Sequence, residues 1–424
     1  MSAGPRFARL ADWLDWQQSL HPNAIDLGLG RVSRVLGRTG WRGTVQPVIT
    51  VGGTNGKGSC VALLDALLRA GGYRIGTFTS PHLIDYRERI RLDGEWVSEA
   101  SLVAAFERIA DALDGESLTF FEFNTLAALL VFETWAPDAI VLEVGLGGRL
   151  DAVNVVDADV AVVVSVALDH MEWLGSDLES IGREKAGIFR RSRPAICGMP
   201  EPPRSVQEVA AGIGARLLLR GRDFDAIAHS DGRWDYRDEK GVLAGLPAPA
   251  LVGIAQMGNA ATALAALRQL AGRLPLGRGA IESGLTAVRL PGRFQRVRGE
   301  GGVEWVLDVA HNPAAAATLA ANLAGHPVRG QTLAVCGMLD DKDVDGVLEA
   351  LRGCVDRWFA AATEGPRGLS DEALATRARA VGIDMTAGGS VANAMRRASR
   401  EARAGDRIVV FGSFHTVGPA LACV

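Results

Sequence analysis

The sequence predicts an α/β protein built on parallel sheets and divided into two domains. Three observations carry that expectation. Short β-branched runs alternate with helix-period stretches, which implies parallel strands joined by crossover helices. One such run, residues 47–51 (PVITV), passes directly into a glycine-rich turn and then a helix. A third run, residues 160–167 (VAVVVSVA), is continuously apolar, as expected for a strand buried on both faces.

Taken in chain order, residues 47–51 form the first strand and 60–70 the helix after its turn. Strands follow at 74–79, 139–144 (AIVLEV, ending at another glycine turn) and 160–167. Residues 211–250 mix charges and glycines with Leu-Pro-Ala-Pro at 246–249, and read as short antiparallel strands on a sheet edge. A long helix at 259–270 comes next. LPGR near residues 288–292 then breaks the pattern. This sets the expected domains at 1–288 and 289–424, with a ligand cleft between domains as the general expectation. The second domain repeats the alternation, with strands at 303–309, 331–336, 355–361 and 407–411 and helices such as 314–323 and 343–351.

Composition narrows the function classes. The 424 residues hold 45 Lys+Arg against 49 Asp+Glu, a net charge of −4, which argues against nucleic-acid binding by bulk charge. Hydrophobic residues at 48% and charged residues at 22% exclude a disordered chain. Glycine is in excess, with 51 residues or about 12% against a usual share near 7%, and belongs in turns. The five cysteines form no C-x-x-C and suggest neither a disulfide framework nor a zinc knuckle. The first 20 residues hold acids and tryptophans where a signal peptide needs an unbroken apolar core. No apolar run reaches the ~18 residues of a membrane span. A soluble cytoplasmic protein without membrane or nucleic-acid partners is the expectation.

The strongest local signal is VITVGGTNGKGS at 48–59. Phosphate oxygens need inward-pointing N–H groups, which a glycine-tolerant turn supplies at close range. The helix N-terminus adds partial positive charge, Lys57 a full one, and Ser59 a hydroxyl for Mg²⁺. Gly58 separates Lys57 from Ser59, a departure from G-x-x-x-x-G-K-[ST]. The bland alternative is an ordinary strand-to-helix turn with a solvated lysine.

Ligands in doubly wound sheets sit beyond the carboxyl ends of the strands. Glu143 ends one strand, and a carboxylate there is costly unless it binds a cation or pairs, with Arg149 the nearby candidate. Asp169 and His170 end the next strand as possible metal ligands, and Ser80 follows another. His82 beside it reads as a turn cap. Lys185 reads equally as a solvated helix-face lysine. Four of the seven histidines, His82, His170, His311 and His415, come just after strands, which favours an active site. Asp308, His311 and Asn312 occupy a strand-to-helix passage, and residues 411–416 do the same after the last strand. G-x-S-x-G is absent at both places, so neither resembles a hydrolase elbow.

In combination these pieces resemble the folylpolyglutamate synthase family within the Mur ligases. The resemblance covers residues 25–415, with the motifs in order: GTNGKGS at 53–59, SPHL at 80–83, EVGLGGRLDA at 143–152, ALDH at 167–170, GREKAGIF at 182–189, PGRF at 291–294, DVAHNP at 308–313 and GSFHT at 412–416. IDLGL at 25–29 and LTFFEFNT at 118–125 are similar to the pterin-binding segments of the family's bifunctional members. Gly52 stands where relatives usually carry Thr or Ala, and is expected to widen the loop's freedom. The fold implied is a P-loop-type parallel-sheet N-terminal ATPase domain with a small antiparallel edge region, plus a smaller Rossmann-like α/β C-terminal domain.

The resemblance implies an ATP-dependent ligase that joins L-glutamate to dihydropteroate and to tetrahydrofolate glutamyl chains through an acyl phosphate. It implies that Thr54, Asn55, Gly56, Lys57, Gly58 and Ser59 cradle ATP, with Asn259, Arg293, Asp308 and His311 as further nucleotide contacts. Ser59, Ser80, Glu143 and His170 match metal ligands for two Mg²⁺ ions, and a monovalent cation fits the same pattern. Lys185 matches a carbamylated lysine; with Lys57, Glu143 and His170 it makes up the catalytic set. Asp26, Leu27, Gly28, Thr119, Phe120, Phe121, Glu122, Leu150, Asp151 and Ala152 match the pteroate site. Ser413 and His415 match glutamate contacts. A monomer acting on small-molecule substrates is implied. Alternatives are polyglutamylation alone, another Mur-type amide ligase, or a nucleotide-binding module without ligation. A carrier-linked cell-wall ligase would need an N-terminal domain, and about 46 residues precede the glycine loop.

Overall fold

A computed structural model describes residues 6–7 and 9–424. The chain divides into two compact units. The first comprises Met1–Val166, Met171–Ala248 and Gly258–Val288, and the second Ala167–His170, Pro249–Met257 and Arg289–Val424. Residues 167–170, expected at the end of the 160–167 strand and within the first domain, cluster with the second unit.

The first unit is built on β1 (Val48–Gly52), β2 (Ile75–Phe78), β3 (Ile90–Leu92), β4 (Glu95–Trp96), β5 (Ala139–Glu143), β6 (Val160–Val163), β7 (Pro194–Cys197) and β8 (Arg216–Leu219). Their order is β4-β3-β2-β5-β1-β6-β7-β8. From β2 to β8 every pairing is parallel, while β3 and β4 add an antiparallel edge. The two-residue turn between them is Asp93-Gly94, both with positive φ, the conformation that matches strand twist in a tight hairpin. The central strands β1, β5 and β6 are buried throughout because helices cover a parallel sheet on both faces.

Two expectations are corrected here. The strand expected at 160–167 stops at Val163, because the chain leaves the sheet to bring Ser165 under the glycine loop. The segment at 211–250 does reach the edge of the large sheet, but its antiparallel strands lie outside that sheet. Its first strand, β8, joins that sheet in parallel, while β9 (Phe224–Ala228), β10 (Trp234–Asp238) and β11 (Gly241–Leu246) form a three-stranded sheet of their own. Trp234 and Tyr236 alternate inward on β10 and are fully buried, which gives the small sheet its own apolar face.

The second unit holds β12 (Gln295–Arg298), β13 (Glu304–Asp308), β14 (Thr332–Cys336), β15 (Arg357–Ala362), β16 (Met385–Ser390) and β17 (Arg407–Phe411), in the order β12-β13-β17-β14-β15-β16. All pairings except β12–β13 are parallel. β16 (MTAGGS) escaped the sequence reading because its two glycines mask a strand pattern. Each unit has its own apolar core, one including Trp13, Phe106 and Phe123, the other Phe294, Trp358 and Phe411. All five cysteines are free. Among the described residues no helix is long and apolar enough to cross a membrane.

Candidate active site

The glycine loop joins β1 to the helix Lys57–Ala70. Gly53 has φ +145, and a Cβ there would come within 3.1 Å of the Ser165 backbone nitrogen. Gly56 has φ +85, and its Cβ would meet Val164 at 2.9 Å and the Asn259 amide at 3.1 Å. Neither position admits a side chain. The Thr54 N–H donates to the Ser165 carbonyl at 2.8 Å and the Asn55 N–H to Ser165 Oγ at 2.9 Å, pinning the loop. Lys57 Nζ donates to the carbonyls of Gly53 (3.0 Å) and Thr54 (3.1 Å), so its charge is held by the loop rather than dispersed in solvent. The first-turn N–H groups and Lys57 at the helix start are donors of the kind an anion would need. Ser59 is buried in that turn. Gly52 lies within β1, paired with Val163 and packed beneath Ile188 (3.2 Å from a Cβ), so it does not loosen the loop as expected.

Glu143 closes β5 and is 4% exposed, and its Oε2 accepts the Ser80 N–H at 3.1 Å. Because β2 and β5 are neighbours, their ends bring these two residues together. The Arg149 guanidinium lies on Glu184 at 2.8 Å. Lys185, in the helix Leu178–Ala186, is 4% exposed, which overturns the solvated alternative. That helix end is clamped against the 145–150 turn: Arg149 N–H donates to the Glu184 carbonyl, and a Cβ on Gly148 would lie 2.9 Å from the Lys185 carbonyl. Carboxylate and hydroxyl oxygens at Glu143, Ser80 and Ser59 are hard donors of the type Mg²⁺ and Mn²⁺ prefer. His82 does more than cap a turn: its Nδ1 accepts from Arg89 at 2.8 Å.

The residues expected around pteroate are largely engaged with one another. Thr119 and Glu122 form a capping box on the helix Phe120–Trp135. Arg31 Nε reaches both Glu122 oxygens at 2.9 Å, and its Nη1 reaches Asp26 at 2.6 Å. Asp26 and Glu122 thus converge on one arginine, which the sequence reading missed. Gly28 lines a surface hollow of about 430 Å³ with Arg31, Arg34 and Ser117. The Phe121 ring packs on Phe78 and over Gly145, while Phe120 contacts Tyr86. Asp151 accepts the N–H groups of Leu146 and Val153 and caps the short helix Ala152–Val155 between Leu150 and β6. Burial pushes its carboxyl up to about 7, against those N–H bonds, which favour the charged form. Its carboxylate serves the glycine turn.

On the second unit, Asp169 gathers a polar cluster. Its Oδ1 accepts from Lys342 Nζ at 2.8 Å, and its Oδ2 accepts from Asn312 Nδ2 at 3.1 Å and lies 3.6 Å from His311 Nε2. Burial opposes the charge of Asp169, but the His311 hydrogen bond and the nearby Lys342 and His170 outweigh it and hold the carboxyl far below its ordinary range. His170 has φ +51, sparsely populated for a residue with a side chain. Lys342 was missed because nothing in its Asp-Lys-Asp run distinguishes it from a solvated lysine.

Asp308 accepts the N–H groups of Phe294 and Ala310, each at 2.8 Å, and so fixes the loop that carries Arg293. Burial raises its carboxyl, against the Arg293 charge. Arg293 itself stacks over the Phe414 ring at 5.0 Å. Ser413 is buried and caps the helix Phe414–Leu421 through the Thr416 N–H at 3.0 Å, so its hydroxyl has a structural task. Burial, reinforced by Arg367, lowers His415.

Residues 51–201 match the Mur ligase middle domain and residues 292–414 the Mur ligase glutamate ligase domain. The chain is 47% identical to the dihydrofolate synthase/folylpolyglutamate synthase of Escherichia coli over 96% of its own length and 94% of that protein. It is 34% identical to the Mycobacterium tuberculosis protein of the same name, covering 84% and 78% of the two chains. Among solved structures it is similar to E. coli FolC in complex with DHPP and ADP (TM-score 0.93, 46% identity, 99% of both chains). It is also similar to the Yersinia pestis bifunctional enzyme complexed with AMPPNP and Mn ion (TM-score 0.91, 44% identity, 100% and 99% of the chains).

Proposed function

The chain belongs to the dihydrofolate synthase/folylpolyglutamate synthase family of Mur ligases, and from that premise we propose that it joins L-glutamate to dihydropteroate and to the glutamyl chain of tetrahydrofolate at the expense of ATP. The observation that carries this reading is near-full-length similarity to proteins named for both activities.

A carboxylate is a poor acylating agent. The folate carboxylate therefore takes the γ-phosphoryl group of ATP, the bond to ADP breaks, and an acyl phosphate forms. The glutamate amine then attacks the acyl carbon, and phosphate leaves as the amide forms. Such chemistry asks the protein for positioning and charge neutralisation. On the first unit the N–H groups of residues 54–59 and the Lys57 ammonium would hold the triphosphate, with Asn259 against Gly56. Ser59, Ser80 and Glu143 would hold divalent metal, and His170, on the second unit, is the proposed nitrogen ligand. A divalent ion bound there supplies neutralisation of phosphoryl charge; two are proposed, with a monovalent cation in addition. Lys185, buried, is proposed as a carbamate, which would replace a cation by an anion favourable to metal.

On the second unit Arg293 and His311 are proposed nucleotide contacts, with Asp308 acting through the loop that carries Arg293. Asp26, Leu27, Gly28, Thr119, Phe120, Phe121, Glu122, Leu150, Asp151 and Ala152 are the proposed pteroate segments. The engaged carboxylates of Asp26, Glu122 and Asp151 leave rings and backbone as the main contact groups. Residues 1–288 are assigned ATP and pteroate, and 289–424 glutamate ligation, with His415 and Ser413 at the glutamate. A cytoplasmic monomer without membrane or nucleic-acid partners completes the reading. ADP release should require glutamate together with either dihydropteroate or tetrahydrofolate. Turnover with tetrahydrofolate alone would reduce the function to polyglutamylation, and turnover with neither would refute the reading.

A further inference from the structure

Lys342 lies beyond β14, in the stretch GMLDDKD at 337–343, and its side chain is 7% exposed. Its ammonium sits 2.8 Å from Asp169 Oδ1 and 3.2 Å from Nε2 of His170. An ammonium has three donors and no acceptor, so the ring nitrogen facing it presents its lone pair. A divalent ion binding His170 through Nε2 needs that same lone pair. Asp169 also accepts the His170 backbone N–H on Oδ1 at 2.9 Å and keeps Asn312 and His311 on its other oxygen, so the anchor of the ammonium does not depend on a hydrogen bond from the imidazole.

We propose that Lys342 is a positioning residue that competes with divalent metal for His170. Anchored on Asp169, its ammonium orients the imidazole with Nε2 ready to donate, and it must give way when a metal ion takes that nitrogen. Lys342 therefore weakens metal uptake while presenting the ligand in the right orientation. The inference rests on the proposed role of His170 as a metal ligand.

The test is titration of the full-length protein with Mn²⁺ alone, reading free Mn²⁺ by electron paramagnetic resonance. Lys342→Met should bind Mn²⁺ at least about tenfold more tightly, since a full positive charge beside the ligand is removed. Lys342→Arg, which keeps the charge and the Asp169 pairing, should stay within about twofold of the native protein. The gain should vanish in Lys342→Met combined with His170→Ala. Should Lys342→Met fail to fold by circular dichroism, Lys342→Gln, which retains a donor for Asp169, carries the same expectation. Unchanged or weaker binding in the neutral variant, or a gain that survives loss of His170, overturns the proposal. If His170→Ala alone leaves Mn²⁺ binding unaltered, the metal role of His170 falls, and this inference with it.

Discussion

Lys57 turns its ammonium onto the carbonyls of Gly53 and Thr54, so the charge is held at the glycine loop, where the proposed function puts the triphosphate. Lys57→Ala should reduce kcat/KM for ATP-dependent ligation by about 10²–10³ with the fold intact, the range for a lost charge-stabilising donor. Steady-state ADP release checks this, and retained turnover would remove Lys57 from the site. Lys185 is placed differently: it is buried on a helix whose end is clamped by the glycine turn. A carbamate at Lys185 would replace its cation by an anion that gains from bound metal. Lys185→Ala should lose activity, and acetate or formate at millimolar concentration should restore part of it. Full activity without added acid would exclude the carbamate. Both lysines were visible in the sequence as members of motifs. Whether each was solvated or enclosed was not, because burial depends on distant segments such as residues 145–150.

At the scale of elements, caps explain several polar residues that motif reading assigned to ligands. Ser413 caps the last helix, Thr119 and Glu122 cap the helix Phe120–Trp135, and Asp151 caps residues 152–155. Ser413→Ala should therefore cost about 1 kcal/mol of stability, the usual value of a lost N-cap. Thermal denaturation beside the KM for glutamate separates the roles: a raised KM at unchanged stability would support Ser413 at the glutamate, and lowered stability at unchanged KM would leave it the cap alone. The helix Lys57–Ala70 carries a second testable feature at Asp65. Burial pushes its carboxyl up to about 6, only partly offset by Arg69 and Arg91. A folded-state pKa above the unfolded one penalises the charged form. The penalty is absent below about pH 4 and complete above about pH 7, at about 2–3 kcal/mol. Urea unfolding should thus show Asp65→Asn with a flatter decline in stability from pH 4 to 7 than the native protein, and parallel curves would contradict it. Strand positions were readable where β-branched runs are continuous, as in β1, β5 and β17. β16 was not, because its glycines carry no pattern.

At the scale of the whole molecule, two units each close a core around a largely parallel sheet. The proposed function, with Ser80 and Glu143 at the strand ends as oxygen donors to a divalent ion, makes the reaction metal-dependent. EDTA should abolish ADP release, and Mg²⁺ or Mn²⁺ should restore it, while Ca²⁺, larger and more loosely coordinated, should restore far less. Activity surviving chelation would contradict the metal assignment. Strand–helix alternation, the ordered motifs and the glycine excess were enough to define the α/β class and the family, since each is written in local spacing. Packing settled the rest. Asp26 and Glu122 meet on Arg31, and Asp169 gathers Lys342, Asn312 and His311, because hydrogen bonds join residues far apart in the chain. Local spacing reveals which residues can carry a charge or a hydroxyl. Which of them are already committed to a cap, a clamp or an ion pair depends on neighbours that folding brings together.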